Sequence, residues 1–172
     1  MSRVALCLQN AAVSFDVFLQ RFVARKSAGV DRERVLEVLR TATYRGPDEF
    51  GFYVVAFPDS GNVEFSASGL ESKEPFEGCA FHIGGFGEHL IKFMFDVARA
   101  GDMVLIPVME GSPLVLVTED QKAAVPSELS ESLQPVLVCS PSELGVLLTD
   151  GFAAWSSYRE RVLRQSSAHD EA

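Results

Sequence analysis

Residues 50–68 read FGFYVVAFPDSGNVEFSAS, and this stretch decides the fold. Phe50 to Phe57 is apolar at consecutive positions, as an interior strand with both faces covered requires. Pro58-Asp59-Ser60-Gly61 then supplies turn chemistry. On the return, Val63, Phe65 and Ala67 alternate with Glu64, Ser66 and Ser68, so one face of the second strand is wet. The stretch is a β-hairpin, and helix-period sequence lies on both sides of it.

C-terminal to the hairpin, an acidic loop from Leu70 to Glu77 leads to a third strand around Cys79 to Ile83. A helix is expected from Glu88 to Ala100. Its polar residues Glu88, Lys92, Asp96 and Arg99 form one narrow stripe, and Leu90, Ile91, Phe93, Met94, Phe95 and Val97 cover the rest. Strands follow at Met103–Val108 and Leu114–Val117, the first marked by Pro107 as an edge or a bulge. Thr118-Glu119-Asp120-Gln121 is a capping box for a short turn that Pro126 limits. A strand at Val136–Cys139 precedes Ser140-Pro141-Ser142-Glu143, a strong helix start, and Asp150-Gly151 is expected to break that helix. A last helix is expected from about Phe152 to Arg164, docking Phe152, Trp155 and Tyr158 on the core.

N-terminal to the hairpin the spacing predicts two helices. Ser14 caps the first, with the stripe Phe15, Phe18, Leu19, Phe22 and Val23, and Val13 and Phe18 as a staple. Asp31 caps the second, with Val35, Leu36, Val38, Leu39 and Ala42, and Gly46-Pro47 ends it. The expectation is therefore an α+β domain over 1–165 with a frayed tail at 166–172. It has a mixed or mainly antiparallel sheet of about five or six strands packed by helices, an N-terminal helical hairpin and C-terminal helices.

At 172 residues, 47% apolar and 23% charged, the chain is long enough for one well-filled core. No apolar run reaches membrane-spanning length and no signal-peptide core is present, while three distant cysteines (Cys7, Cys79, Cys139) read as reduced thiols. A cytoplasmic protein is expected. Charge is sorted: residues 1–45 carry a net +4, residues 46–145 a net −12, and the whole chain −9. A field of that sign repels phosphate and anionic membranes and attracts basic partners.

The residues that could carry chemistry each have a plainer reading. Gly84-Gly85-Phe86-Gly87 lies between a strand and a helix, where phosphate loops occur. It matches neither nucleotide fingerprint and is followed by Glu88, so it reads as a tight turn. Cys79 and His82 fall on opposite faces of a strand, and with His89 they match no zinc pattern. The carboxylates around the hairpin have no metal or acid–base spacing. The arginines of the first two expected helices (Arg21, Arg25, Lys26, Arg32, Arg34, Arg40, Arg45) scatter rather than forming one stripe. They offset the acidic half rather than read DNA.

In acidity from Asp48 to Glu143, in size and in the absence of a catalytic constellation, the chain resembles bacterial toxin-immunity proteins. That resemblance implies a non-catalytic cytosolic α/β domain that occludes a toxin. It carries no diagnostic motif and so assigns no residue. The partner-binding residues expected here are Asp48, Glu49, Asp59, Glu64, Glu71, Glu74 and Glu77, with Phe76 and Phe86 as apolar anchors. The expected partner is a basic protein, of toxin type, with no nucleic acid, membrane, cofactor or metal; a homodimer is compatible with the charge pattern. Two alternatives stand beside it. One is an enzyme or ligand module with a pocket near Gly84–His89, and the other a homo-oligomeric structural subunit.

Overall fold

The structure, a computed structural model, describes residues 15–109 and 111–151, together with 153, 157 and 160. In chain order the elements are β1 (Phe15–Gln20), β2 (Phe22–Val23), β3 (Lys26–Ser27), α1 (Arg32–Leu39), β4 (Thr43–Arg45), β5 (Phe52–Phe57), β6 (Gly61–Ser66) and β7 (Gly78–Ile83). They continue with α2 (Glu88–Ala100), β8 (Val104–Pro107), β9 (Leu114–Leu116), α3 (Gln121–Ala124), α4 (Ser127–Ser132), β10 (Pro135–Leu137) and α5 (141–151). Among the described residues eight strands make one sheet in the order β10-β9-β8-β1-β7-β6-β5-β4, while β2 and β3 pair separately. Every neighbouring pair in the large sheet is antiparallel except β9 and β10. The molecule is an α+β structure.

The sheet is larger than expected, with eight strands instead of five or six, and no helical hairpin precedes it. Residues 15–20 are the central strand, not a helix. Phe15, Phe18, Leu19 and Phe22 fit a helix stripe, but Phe15, Val17 and Leu19 fit a strand face equally well, and a short apolar run allows both. Pairing with β7 along all six residues, Phe15 to Ile83 through Gln20 to Gly78, and with β8 on the other side, decides between them. Close approach is possible because position 78 is glycine; a Cβ there would lie 2.5 Å from the Leu19 carbonyl oxygen. The second expected helix exists as α1 but stops at Leu39, and the β-branched and aromatic residues Thr43-Tyr44 become β4 against β5. Val13 and Ser14 lie outside the described residues.

Other differences are local. Asp150-Gly151 does not break α5: both residues are helical, as are 153, 157 and 160. Helix α4 was not foreseen. The Thr118 box does not cap α3, whose N-cap is Asp120 without a side-chain cap bond. Gln121 instead turns back, and its Oε1 accepts from the N–H groups of Val117 at 2.8 Å and Thr118 at 3.3 Å. Ser140 Oγ accepts from the Glu143 N–H at 3.2 Å, as the start of α5 requires. Phe152, Trp155, Tyr158 and the expected tail lie outside the described residues.

One face of the sheet is covered by α1, α2 and α5. Phe15, Val17 and Leu19 of β1, Tyr53 and Val55 of β5, Phe65 of β6 and Phe81 of β7 are buried there with Leu90, Phe93, Met94, Val97, Leu36 and Leu144. Phenyl rings fill the middle: Phe65 stacks on Phe81 with centroids 4.8 Å apart, and Phe93 meets Phe57 edge-on at 5.4 Å. Helix α2 buries seven of its thirteen residues, at roughly 1.5–3 kcal/mol for each large side chain, so packing holds it more than propensity does. Among the described residues, the opposite face is covered only at the β8–β9–β10 end. There Val104, Leu114 and Leu116 pack with Val125 just after α3, Leu129 of α4 and Phe22 of the β2–β3 hairpin.

Candidate functional site

The antiparallel order places the ends of β4 and β6 and the starts of β5 and β7 at one end of the sheet. Asp48, Glu49, Glu71, Glu74 and Glu77 all lie on the loops of that end. These loops are tied down. Asp48 Oδ1 accepts from the N–H groups of Phe50 and Phe52, both at 2.9 Å, which fixes the turn carrying Glu49. The Arg32 guanidinium donates to the carbonyls of Ser72 and, at 2.9 Å, Glu74. Tyr53, whose ring is buried, donates its O–H to Glu71 Oε2 at 3.2 Å; burial and the neighbouring carboxylate push its phenol well above the usual range. At Gly69 the chain turns with φ +85°, and a Cβ would lie 2.3 Å from the Pro75 carbonyl oxygen, so only glycine fits. Phe76 sits beneath this loop, 2% exposed, and offers no ring to the surface.

The other expected residues lie elsewhere. Asp59, in the β5–β6 turn, is at the opposite end of the sheet and is already engaged. Its Oδ2 accepts from the His89 N–H at 3.0 Å and faces His89 Nδ1 at 3.0 Å. These bonds hold its carboxyl at a pKa of about 2. Because Asp59 takes this N–H at the start of α2, the place a phosphate would occupy above the glycine turn is filled. Phe86 is half-buried and meets Phe15 edge-on at 5.9 Å. Glu64 is on the uncovered face of the sheet, 54% exposed at its side chain.

On that uncovered face sequence reasoning missed a cluster. Asp16, His82 and Glu64 stand opposite one another across β1, β7 and β6. His82 Nδ1 lies 2.9 Å from Asp16 Oδ1, its Nε2 lies 4.0 Å from Glu64 Oε1, and the Phe52 ring lies 6.1 Å from the imidazole. Asp16 and Phe18 were hidden because residues 15–20 read as a helix; the alternation of Phe15, Val17 and Leu19 was the signal that could have placed them. Cys79 points to the other side and is buried, which pushes its thiol up beyond ordinary titration.

The chemistry available is limited. Among the described residues no group of three or more His, Cys, Asp and Glu could hold a metal ion, and no hydroxyl or thiol is hydrogen-bonded to His82 or His89. Grooves beside the expected pocket are shallow. One of about 350 Å³ runs along His89, Lys92 and Asp96, and one of about 650 Å³ separates α2 from α5. Of the basic residues expected to offset the acidic half, two are ion-paired among the described residues. Arg21 pairs with Asp102 at 3.5 Å, Arg34 with Asp31 at 3.8 Å, and Arg99 lies over the Phe95 ring. Among the described residues no helix is long and apolar enough to cross a membrane.

Among the described residues, fold and surface together define an α+β protein with a sheet half covered on one face and one acidic end. No protein-family model matches the chain, and neither does any curated protein or solved structure.

Proposed function

We propose that this protein is a non-catalytic, protein-binding inhibitor of the immunity type, and that its acidic end steers a basic toxin-like partner. The observation that carries the reading is the gathering of Asp48, Glu49, Glu71, Glu74 and Glu77 on clamped loops at one end of the sheet. The Asp48 and Glu71 carboxylates take part in the clamps, and Arg32 acts through backbone carbonyls. The carboxylates of Glu49, Glu74 and Glu77 make no hydrogen bond or ion pair among the described residues. Carboxylates carried on a fixed backbone but not neutralised raise the on-rate of a cationic partner, and need field and shape rather than ligand spacing. An enzyme reading has less support, since His89 is committed to Asp59 and no nucleophile adjoins it.

The test is isolation of the partner from host cells on the immobilised full chain, followed by association kinetics. A basic protein bound at one-to-one stoichiometry is expected. Its association rate should fall roughly tenfold or more with added salt, or on combining Glu71→Lys, Glu74→Lys and Glu77→Lys. Absence of any basic stoichiometric partner, or a rate indifferent to both changes, rejects the reading.

A further inference from the structure

The uncovered face of the sheet has a layout of its own. Across β1, β7, β6 and β5 one cross-strand row runs Phe18, Ala80, Ser66, Phe52, and Ile106 of β8 extends it beyond Phe18. Phe18 is 46% exposed, although it lies at the centre of an eight-stranded sheet. The next row runs Asp16, His82, Glu64, Val54 and ends on Arg45 of β4. Val108, 52% exposed, lies beside Asp16 through its N–H bond to the Asp16 carbonyl at 2.8 Å. The exposed Phe18 ring and the half-buried Phe52 ring, flanked on one side by the Asp16–His82–Glu64 row, have the anatomy of an interface core and part of its rim. Helices α3 and α4 pack on the β8–β9–β10 end, and the cluster they cover meets the Phe18 row only at Ile106.

We infer that this sheet face is where the basic partner seats, with an apolar patch over Phe18 and Phe52 and a Lys or Arg side chain against Glu64. The inference rests on the inhibitor reading above and assigns its contact surface; the acidic loops then steer while the sheet face binds. Charge selects the occupant. Glu64 stands 4.0 Å from the imidazole that already faces Asp16, so covering Glu64 without a cation would bury an uncompensated carboxylate. A second copy of the chain would bring another −9 and another Glu64 to the face. A basic protein supplies the missing charge.

The test places a photo-crosslinking phenylalanine analogue at Phe18 of the full chain in host cells, and separately at Val146, which is 69% exposed on α5. Position 18 should capture a basic protein that position 146 does not, and Glu64→Lys should abolish the adduct. With that protein purified, Phe18→Ser should weaken its equilibrium affinity by roughly 30-fold or more while leaving circular dichroism unchanged. The loop reversals at Glu71, Glu74 and Glu77 should act mainly on the association rate. Capture at 146 and not at 18, an adduct of two copies of this chain, no adduct at all, or unchanged affinity in both Phe18→Ser and Glu64→Lys overturns the inference. If a basic partner binds but ignores both substitutions, the inhibitor reading survives and the sheet face is wrong. If no basic partner exists, both fall.

Discussion

Asp59 caps α2 from thirty residues away: its Oδ2 accepts the His89 N–H at 3.0 Å, so the hairpin turn and the helix start hold each other. Gly87 makes this fit possible. A Cβ there would lie 2.4 to 2.6 Å from the three carboxyl atoms of Asp59. Asp59→Ala and Gly87→Ala should therefore each lower stability and fail to add in the double variant, because the second change finds the cap already gone. Urea denaturation of the four proteins checks this.

The same contact sets an acid limb. The Asp59 carboxyl lies at about 2 in the folded chain against an ordinary 3.8, so the folded state favours the ionised form. Its contribution is complete above the unfolded value and is lost as pH falls through about 2. Asp59→Asn should flatten the part of the stability–pH curve between those two values and leave neutral pH to the cap effect alone. Denaturation midpoints measured across that window decide it.

Gly78→Ala should disturb the centre of the sheet, since its Cβ must displace backbone at Leu19 and not the tip of a side chain. A loss of roughly 1–3 kcal/mol is expected, of the size seen on overpacking, with slower hydrogen exchange in β1 and β7 lost first. Ala substitution at Gly84, where a Cβ meets nothing within 4 Å, is the control.

Ala24 and Arg25 turn the β2–β3 hairpin in the left-handed region, at φ 48° and 64°, without glycine at either position. Ala24→Gly should stabilise the protein by about 0.5–1 kcal/mol, after the greater freedom of glycine in the unfolded chain is allowed for. Arg25 is the poorer choice, because its guanidinium reaches Ser127 on α4. Thermal melting of the Ala24 variant checks the sign.

Phe65 is fully buried, stacked on Phe81 and edge-on to Phe93 at 6.3 Å. Phe65→Ala should cost about 3–5 kcal/mol. Phe50→Ala, at a site 69% exposed, should fall within about 0.5 kcal/mol of wild type. In a Cys7→Ser background, a thiol reagent should label Cys139 quickly, and Cys79 only on unfolding.

What the sequence determined by itself was local and strongly periodic. The β5–β6 hairpin, α2 from Glu88 to Ala100, the Asp31 cap of α1 and the Ser140 start of α5 are all written in spacing, turn residues and capping residues that act within a few positions. The acidity of the loops was equally plain, since charge is countable. Residues 15–20 were different: their apolar positions satisfy periods of two and of 3.6 alike, and only long-range pairing with β7 and β8 makes them the central strand. Everything that followed from that strand was decided by tertiary structure. It sets which end of the sheet gathers Asp48, Glu49, Glu71, Glu74 and Glu77, and that Phe76 is core. It also sets that Asp59 is a cap at the far end, and that Asp16, His82 and Glu64 meet beside Phe18 on an uncovered face. The physical reason is that a strand contributes no hydrogen bonds to itself. Its partners, and hence its neighbours across each face, lie far along the chain where local pattern carries no information.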